Sequence, residues 1–91
     1  MWFVYIVRCA DGTLYTGMTK DVARRVAEHN ALGMAGASYT RGRRPVVLLY
    51  TEVLASRSAA ARREYAIKQL TRQGKDALVR AGRSQRRLPA R

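Results

Sequence analysis

Ninety-one residues, 47% of them apolar, supply one domain with one small core and leave no interior for a large cofactor, so a site has to be a surface cleft. The single Cys9 excludes an internal disulfide and a cysteine zinc cluster, and no run approaches the about 20 apolar residues of a membrane span. A formal net charge of +12, from 18 Lys and Arg against 6 Asp and Glu, points instead to polyanions, nucleic acid first, and Arg outnumbers Lys as phosphate recognition prefers.

The chain opens on Trp2 to Cys9, β-branched and aromatic and therefore strand-forming. That apolar start is too short for a secretion signal and is closed by Arg8, so a soluble, cytoplasmic protein is expected. Asp11-Gly12 is a hairpin signal, and Thr13 to Thr19 returns as a second strand. A two-residue turn there pairs Tyr5 with Met18 and Tyr15 with Arg8. Thr19 or Asp21 caps a helix running to about Ala31, with Gly33 near its end. Gly33 to Arg44 holds three glycines and three arginines and reads as a basic loop. Pro45 introduces a third strand, Val46 to Leu54.

Ser56 or Ser58 caps the next helix, expected to run through Gln73 and stop at Gly74. Lys75 to Ala81 reads as a short last helix, and Gly82 to Arg91 as a disordered basic tail. The expectation is α+β: a small, three-stranded, mostly antiparallel sheet flanked by helices in the order ββαβα(α), with the domain at 1–81 and the tail at 82–91.

Five polar residues stand out from this frame. Tyr5 and Tyr15 lie on the first two strands, and whether they share a face depends on the register. Phenol oxygens can take or relay a proton, but a pKa near about 10 requires help from a cation or metal. Arg25 and His29 are one helical turn apart and emerge on one face, while Arg24 points to solvent. His29 suits proton transfer and suits equally a cation at a helix terminus. Glu64 interrupts a basic helix; its spacing to Lys68 fits an i,i+4 ion pair, and its carboxylate also fits a Mg²⁺ ion that keeps most of its waters.

In order and spacing these residues resemble the GIY-YIG nuclease superfamily, in particular its small bacterial single-domain members. Phe3-Val4-Tyr5 stands at the first motif and Tyr15-Thr16-Gly17 at the second. Arg25 and His29 match the helix pair, and Glu64 matches the later metal-binding glutamate. Phe3 replaces the first motif's glycine and Thr16 the second's isoleucine, neither of them a chemical group. The resemblance covers residues 2–80. It implies a metal-dependent endonuclease cutting DNA, structure-selective in repair or processing, with Mg²⁺ or Mn²⁺ on Glu64. Arg25 would steady phosphate charge, Tyr5 or Tyr15 would act as general base or orient water, and His29 would assist. Lys20 and Asn30 are peripheral candidates.

Larger relatives gain substrate choice from an attached DNA-binding domain, and nothing of that kind lies within these residues. Either the chain's own basic groups bind DNA or a partner protein supplies targeting. The binding surface is expected at Ser38, Tyr39, Arg41, Arg43 and Arg44, with Tyr39 stacking on an unpaired base and Arg83, Arg86, Arg87 and Arg91 adding salt-sensitive phosphate affinity. Two other readings stand beside the enzyme: a non-catalytic nucleic-acid-binding module on the same scaffold, and a scaffold recruited by a partner.

Overall fold

The structure, a computed structural model, describes residues 1–31 and 38–87. Gly33, the side chains of Ser38, Arg83, Arg86 and Arg87, and residues 88–91 lie outside the described residues. The elements are β1 (Trp2–Arg8), β2 (Leu14–Thr19), α1 (Val22–Asn30), α2 (Ser38–Arg41), β3 (Val47–Leu54), α3 (Arg57–Lys68) and α4 (Arg72–Arg87). They form the expected α+β fold, an antiparallel sheet in the order β2-β1-β3 with helices on both faces.

The central strand explains the arrangement. Val4, Tyr5, Ile6 and Val7 are all buried, so β1 needs cover on both sides. Alternation divides the work. Val4 and Ile6 pack with Ala60, Ile67 and Val79 of α3 and α4, whereas Tyr5, Val7 and Cys9 pack with Val46, Tyr15 and Val26 of α1. Cys9 is a free, buried thiol that serves as a small apolar group. Among the described residues no helix is long and apolar enough to cross a membrane.

The hairpin corrects the expected pairing. Tyr5 faces Gly17 and Val7 faces Tyr15, one residue out of step with the Tyr5–Met18 and Arg8–Tyr15 pairs that a two-residue turn implies. The loop instead spans three residues, Ala10 to Gly12, closed by Cys9 N–H to Thr13 O at 2.8 Å and Gly12 N–H to Cys9 O at 2.9 Å. Gly12 has φ +86°, the left-handed residue that such a loop requires. Because side chains alternate, this single step decides the site: Tyr5, Tyr15 and Gly17 now share one face.

One added helical turn and three helix boundaries also differ. Ser38–Arg41 forms a helical turn where the sequence suggests a loop. The helix begun by Ser56, whose hydroxyl accepts from Ala59 N–H, ends at Lys68 rather than Gln73. Thr71 starts the next helix, its hydroxyl accepting Gly74 N–H at 3.1 Å and its carbonyl accepting Lys75 N–H at 3.0 Å. Gly74 therefore lies in a first turn and not at a terminus. The last helix runs to Arg87, beyond the expected Lys75–Ala81 and into the stretch assigned to the tail.

Candidate active site

Asp21 begins the construction. Its carboxylate accepts Arg24 N–H at 3.1 Å and caps α1, fixing the phase in which Val26 meets the sheet. Arg24 then points outward with its side chain 75% exposed, while Arg25 is 28% exposed and turns toward the sheet, as the spacing predicts. One turn on, His29 is completely buried at the end of the helix. Asn30 ties that end to the residue before β3: its amide donates to Val46 O at 3.1 Å and accepts Val46 N–H at 2.6 Å. Both polar ends of Asn30 are thereby spent on backbone, which makes it a structural clamp.

His29 is not an exposed capping cation. Its Nε2 lies 2.8 Å from the Tyr5 hydroxyl and its Nδ1 lies 2.8 Å from Thr40 Oγ1, with Thr40 fully buried on α2. Burial first, and Arg25 second, push its pKa below the usual histidine value, so the ring is neutral near pH 7. The Tyr15 ring meets the imidazole edge-on at 5.4 Å and lies 6.4 Å from the Tyr5 ring. Arg25 donates to Glu28 at 2.9 Å, and its guanidinium also favours the charged form of the Tyr5 phenol. Burial works against the guanidinium's charge, but Glu28 and Tyr5 outweigh it, and its pKa rises.

Tyr5 sits where these contacts meet, 1% exposed. Its pKa is pushed up to about 12, chiefly by burial and then by Tyr15, with Arg25 opposing. Its ring lies on Gly17: a Cβ there would stand 2.5 Å from the phenol oxygen. The glycine of the second motif is thus the floor on which the tyrosine of the first motif rests.

Glu64 falls on the same stripe of α3 as buried Ala60 and Ile67, and Arg63 anchors that helix to β3 through Glu52 at 2.8 Å. The Glu64 carboxylate is close enough to Tyr5 to bear on its ionisation. It pairs with Lys68 at 2.8 Å, the expected i,i+4 bridge, and the Lys68 ammonium lies 5.8 Å above the Tyr15 ring. Tyr5, Tyr15, Arg25 and His29 therefore meet in one site, and Glu64 reaches it through its charge on Tyr5 and through Lys68 over the Tyr15 ring. Among the described residues no cluster of three or more His, Cys, Asp or Glu is placed to bind a metal.

The expected binding residues lie beside it in different circumstances. Tyr39 stacks on Tyr15 with centroids 5.6 Å apart and carries the Arg43 guanidinium 4.1 Å from its ring centre. Arg43 also pairs with Asp11 at 3.0 Å, and Arg44 donates to Ala31 O. Tyr39 is thus an engaged wall of the cleft, and Arg41 ends the same turn. Lys20 stands apart, over Trp2 at 5.6 Å. A separate open groove of about 630 Å³, lined by Phe3, Val22, Val26 and Leu48, contains none of the five.

Against this geometry, the model of the GIY-YIG catalytic domain matches residues 1–76. The chain belongs to the GIY-YIG family. A UPF0213 protein of Desulfotalea psychrophila is 61% identical over 80 residues, covering 88% of this chain and 72% of that protein. One from Halobacterium salinarum is 62% identical over 78 residues, covering 86% and 99%. The solution NMR structure of a Bacillus halodurans UPF0213 protein is 45% identical with a TM-score of 0.57, covering 89% of this chain and 85% of that one. A nuclease-like fold is therefore established for this GIY-YIG domain. Sequence reasoning named the five polar residues but gave no role to Gly17, Glu28 or Thr40. Glu28 was legible as an i+3 partner of Arg25; Thr40, eleven residues from His29, carried no local signal.

Proposed function

We propose that this GIY-YIG domain hydrolyses DNA phosphodiester bonds with a divalent metal, Mg²⁺ or Mn²⁺, held through Glu64. The observation that carries the reading is the Tyr5 phenol, set between the Arg25 guanidinium and His29 Nε2. A phosphate bound by the part-exposed Arg25 is placed against Tyr5. An attacking water then gives its proton to the phenol oxygen while the phenol's own hydrogen passes to His29 Nε2. This relay avoids a free phenolate, which a pKa of about 12 forbids at neutral pH. Arg25 stabilises charge developing on the phosphate oxygens. Tyr15 holds the imidazole edge and lines the approach.

A single carboxylate near the phenol suits a hard cation that keeps waters and takes its remaining ligands from the substrate. When bound, the metal supplies Lewis acidity at the phosphate and acidifies water. Arg41, Arg43 and Arg44, with Tyr39, line the DNA approach, and the net charge of +12 supports binding of the phosphate backbone. The cytoplasm, where DNA is processed, is the proposed location.

A second reading, nucleic-acid binding without cleavage, is favoured by one observation: Lys68 already neutralises Glu64. One experiment separates the two. Labelled single-stranded, duplex and branched DNA are incubated with purified protein and Mg²⁺, Mn²⁺ or EDTA, beside Glu64→Ala. Metal-dependent nicking that Glu64→Ala removes supports the enzyme; salt-sensitive binding unchanged in Glu64→Ala, with no nicking, supports the binding module.

A further inference from the structure

The chain of contacts Tyr5–His29–Thr40 fixes the position of a hydrogen. The Arg25 guanidinium acts on the Tyr5 phenol and, having only donors, can meet it only at the oxygen. The phenol's own hydrogen then needs an acceptor, and His29 Nε2 stands at 2.8 Å. An accepting Nε2 carries no hydrogen, so the neutral ring keeps its single hydrogen on Nδ1, which faces Thr40 Oγ1 at 2.8 Å. In the opposite tautomer Nε2–H would donate to the Tyr5 oxygen, and the phenol hydrogen, turned away from His29, would need another acceptor in a fully buried spot.

We infer that Thr40 is a positioning residue that holds His29 in its Nδ1–H tautomer, leaving Nε2 open to the Tyr5 proton. The placement is built into the fold. Thr40 is 0% exposed, and its carbonyl accepts Arg43 N–H at 3.0 Å, closing the turn that presents its hydroxyl. The catalytic consequence rests on the hydrolytic reading above, since a phenol that must pass on a proton needs an acceptor behind it; the tautomer itself does not.

The chain contains one histidine, so ¹⁵N spectra of the ring report this site alone. Histidine in water prefers its hydrogen on Nε2, so the expected signal is the minority form. Wild type at pH 7.5, without DNA or metal, should show Nδ1–H. Thr40→Val should move the tautomer ratio toward Nε2–H by about tenfold, and Thr40→Ser should restore it, in keeping with the loss and return of one buried hydrogen bond. With a cleavable DNA, Thr40→Val should lower kcat with KM unchanged, and Thr40→Ser should recover it. A wild-type ring in the Nε2–H form, or a ratio unmoved by Thr40→Val, overturns the inference. Should Thr40→Val fail to fold, Thr40→Ala is read in its place, and a wild-type ring in the Nε2–H form overturns the inference without any variant. Because that spectrum needs no substrate, its outcome is independent of whether the protein cuts DNA.

Discussion

Gly17→Ala adds one methyl group at the point where the two motifs touch. The new carbon would lie 2.5 Å from the Tyr5 oxygen and 2.7 Å from Cζ, distances that real contacts do not reach. Tyr5 has little room to yield, being 1% exposed and held by His29 on one side and Arg25 on another. Overpacking of this kind costs about 1–3 kcal/mol. Breaking the Tyr5–His29 bond and leaving buried polar atoms unmet adds about 1–3 kcal/mol. A combined loss of about 3 kcal/mol corresponds to a fall in Tm of roughly 15 °C for a domain of this size. Thermal melting by circular dichroism measures it, and the ring signals of His29 show whether its hydrogen bond survives. The double substitution Tyr5→Phe/Gly17→Ala removes the closest atom of the clash, so the two changes should couple by about 1 kcal/mol or more in a thermodynamic cycle. A Tm within about 4 °C of wild type, with His29 signals unchanged, would refute the close approach of Tyr5 to Gly17.

Three further outcomes are expected. Burial depresses the His29 pKa, so the unfolded chain binds the proton more readily; stability is complete above about 6.5 and falls as pH drops through that value toward the folded pKa, a slope that His29→Asn should remove from urea titrations. Lys68→Met frees Glu64 from its ammonium partner and should tighten Mn²⁺ binding about two- to fivefold by electron paramagnetic resonance, whereas unchanged binding would mean that the ion does not sit on Glu64. Thr16 buries a hydroxyl that meets no partner among the described residues, so Thr16→Val should raise stability by about 1 kcal/mol; a lower Tm would mean the hydroxyl is hydrogen-bonded after all.

The strands and the first helix were legible because their signals are local. The apolar run Val4 to Val7 demands cover on both faces, and Asp21 is a plain capping residue. Glycine misled twice. Asp11-Gly12 reads as a two-residue turn, but the left-handed backbone of Gly12 closes a three-residue loop. Gly74 was read as a helix stop, although Thr71 three positions earlier caps a new helix there. The site residues were legible as chemical types, and the convergence of Tyr5, Tyr15 and His29 was not, since it depends on a register that sequence alone left one residue out. Thr40 was illegible for a different reason: its partner is reached only through tertiary folding of α2 against α1.

The hairpin loop also sets what kind of sequence change this architecture tolerates. Chain reversal between Cys9 and Thr13 counts in parity: adding or deleting one residue inverts every side chain of β2 relative to β1, while a change of two preserves them. A single inserted alanine after Asp11 would carry Tyr15 to the side of α3 without touching any chemical group. Composition matters at two of its three positions, since Gly12 takes a left-handed φ and Asp11 pairs with Arg43, but length is the stricter constraint that this turn enforces.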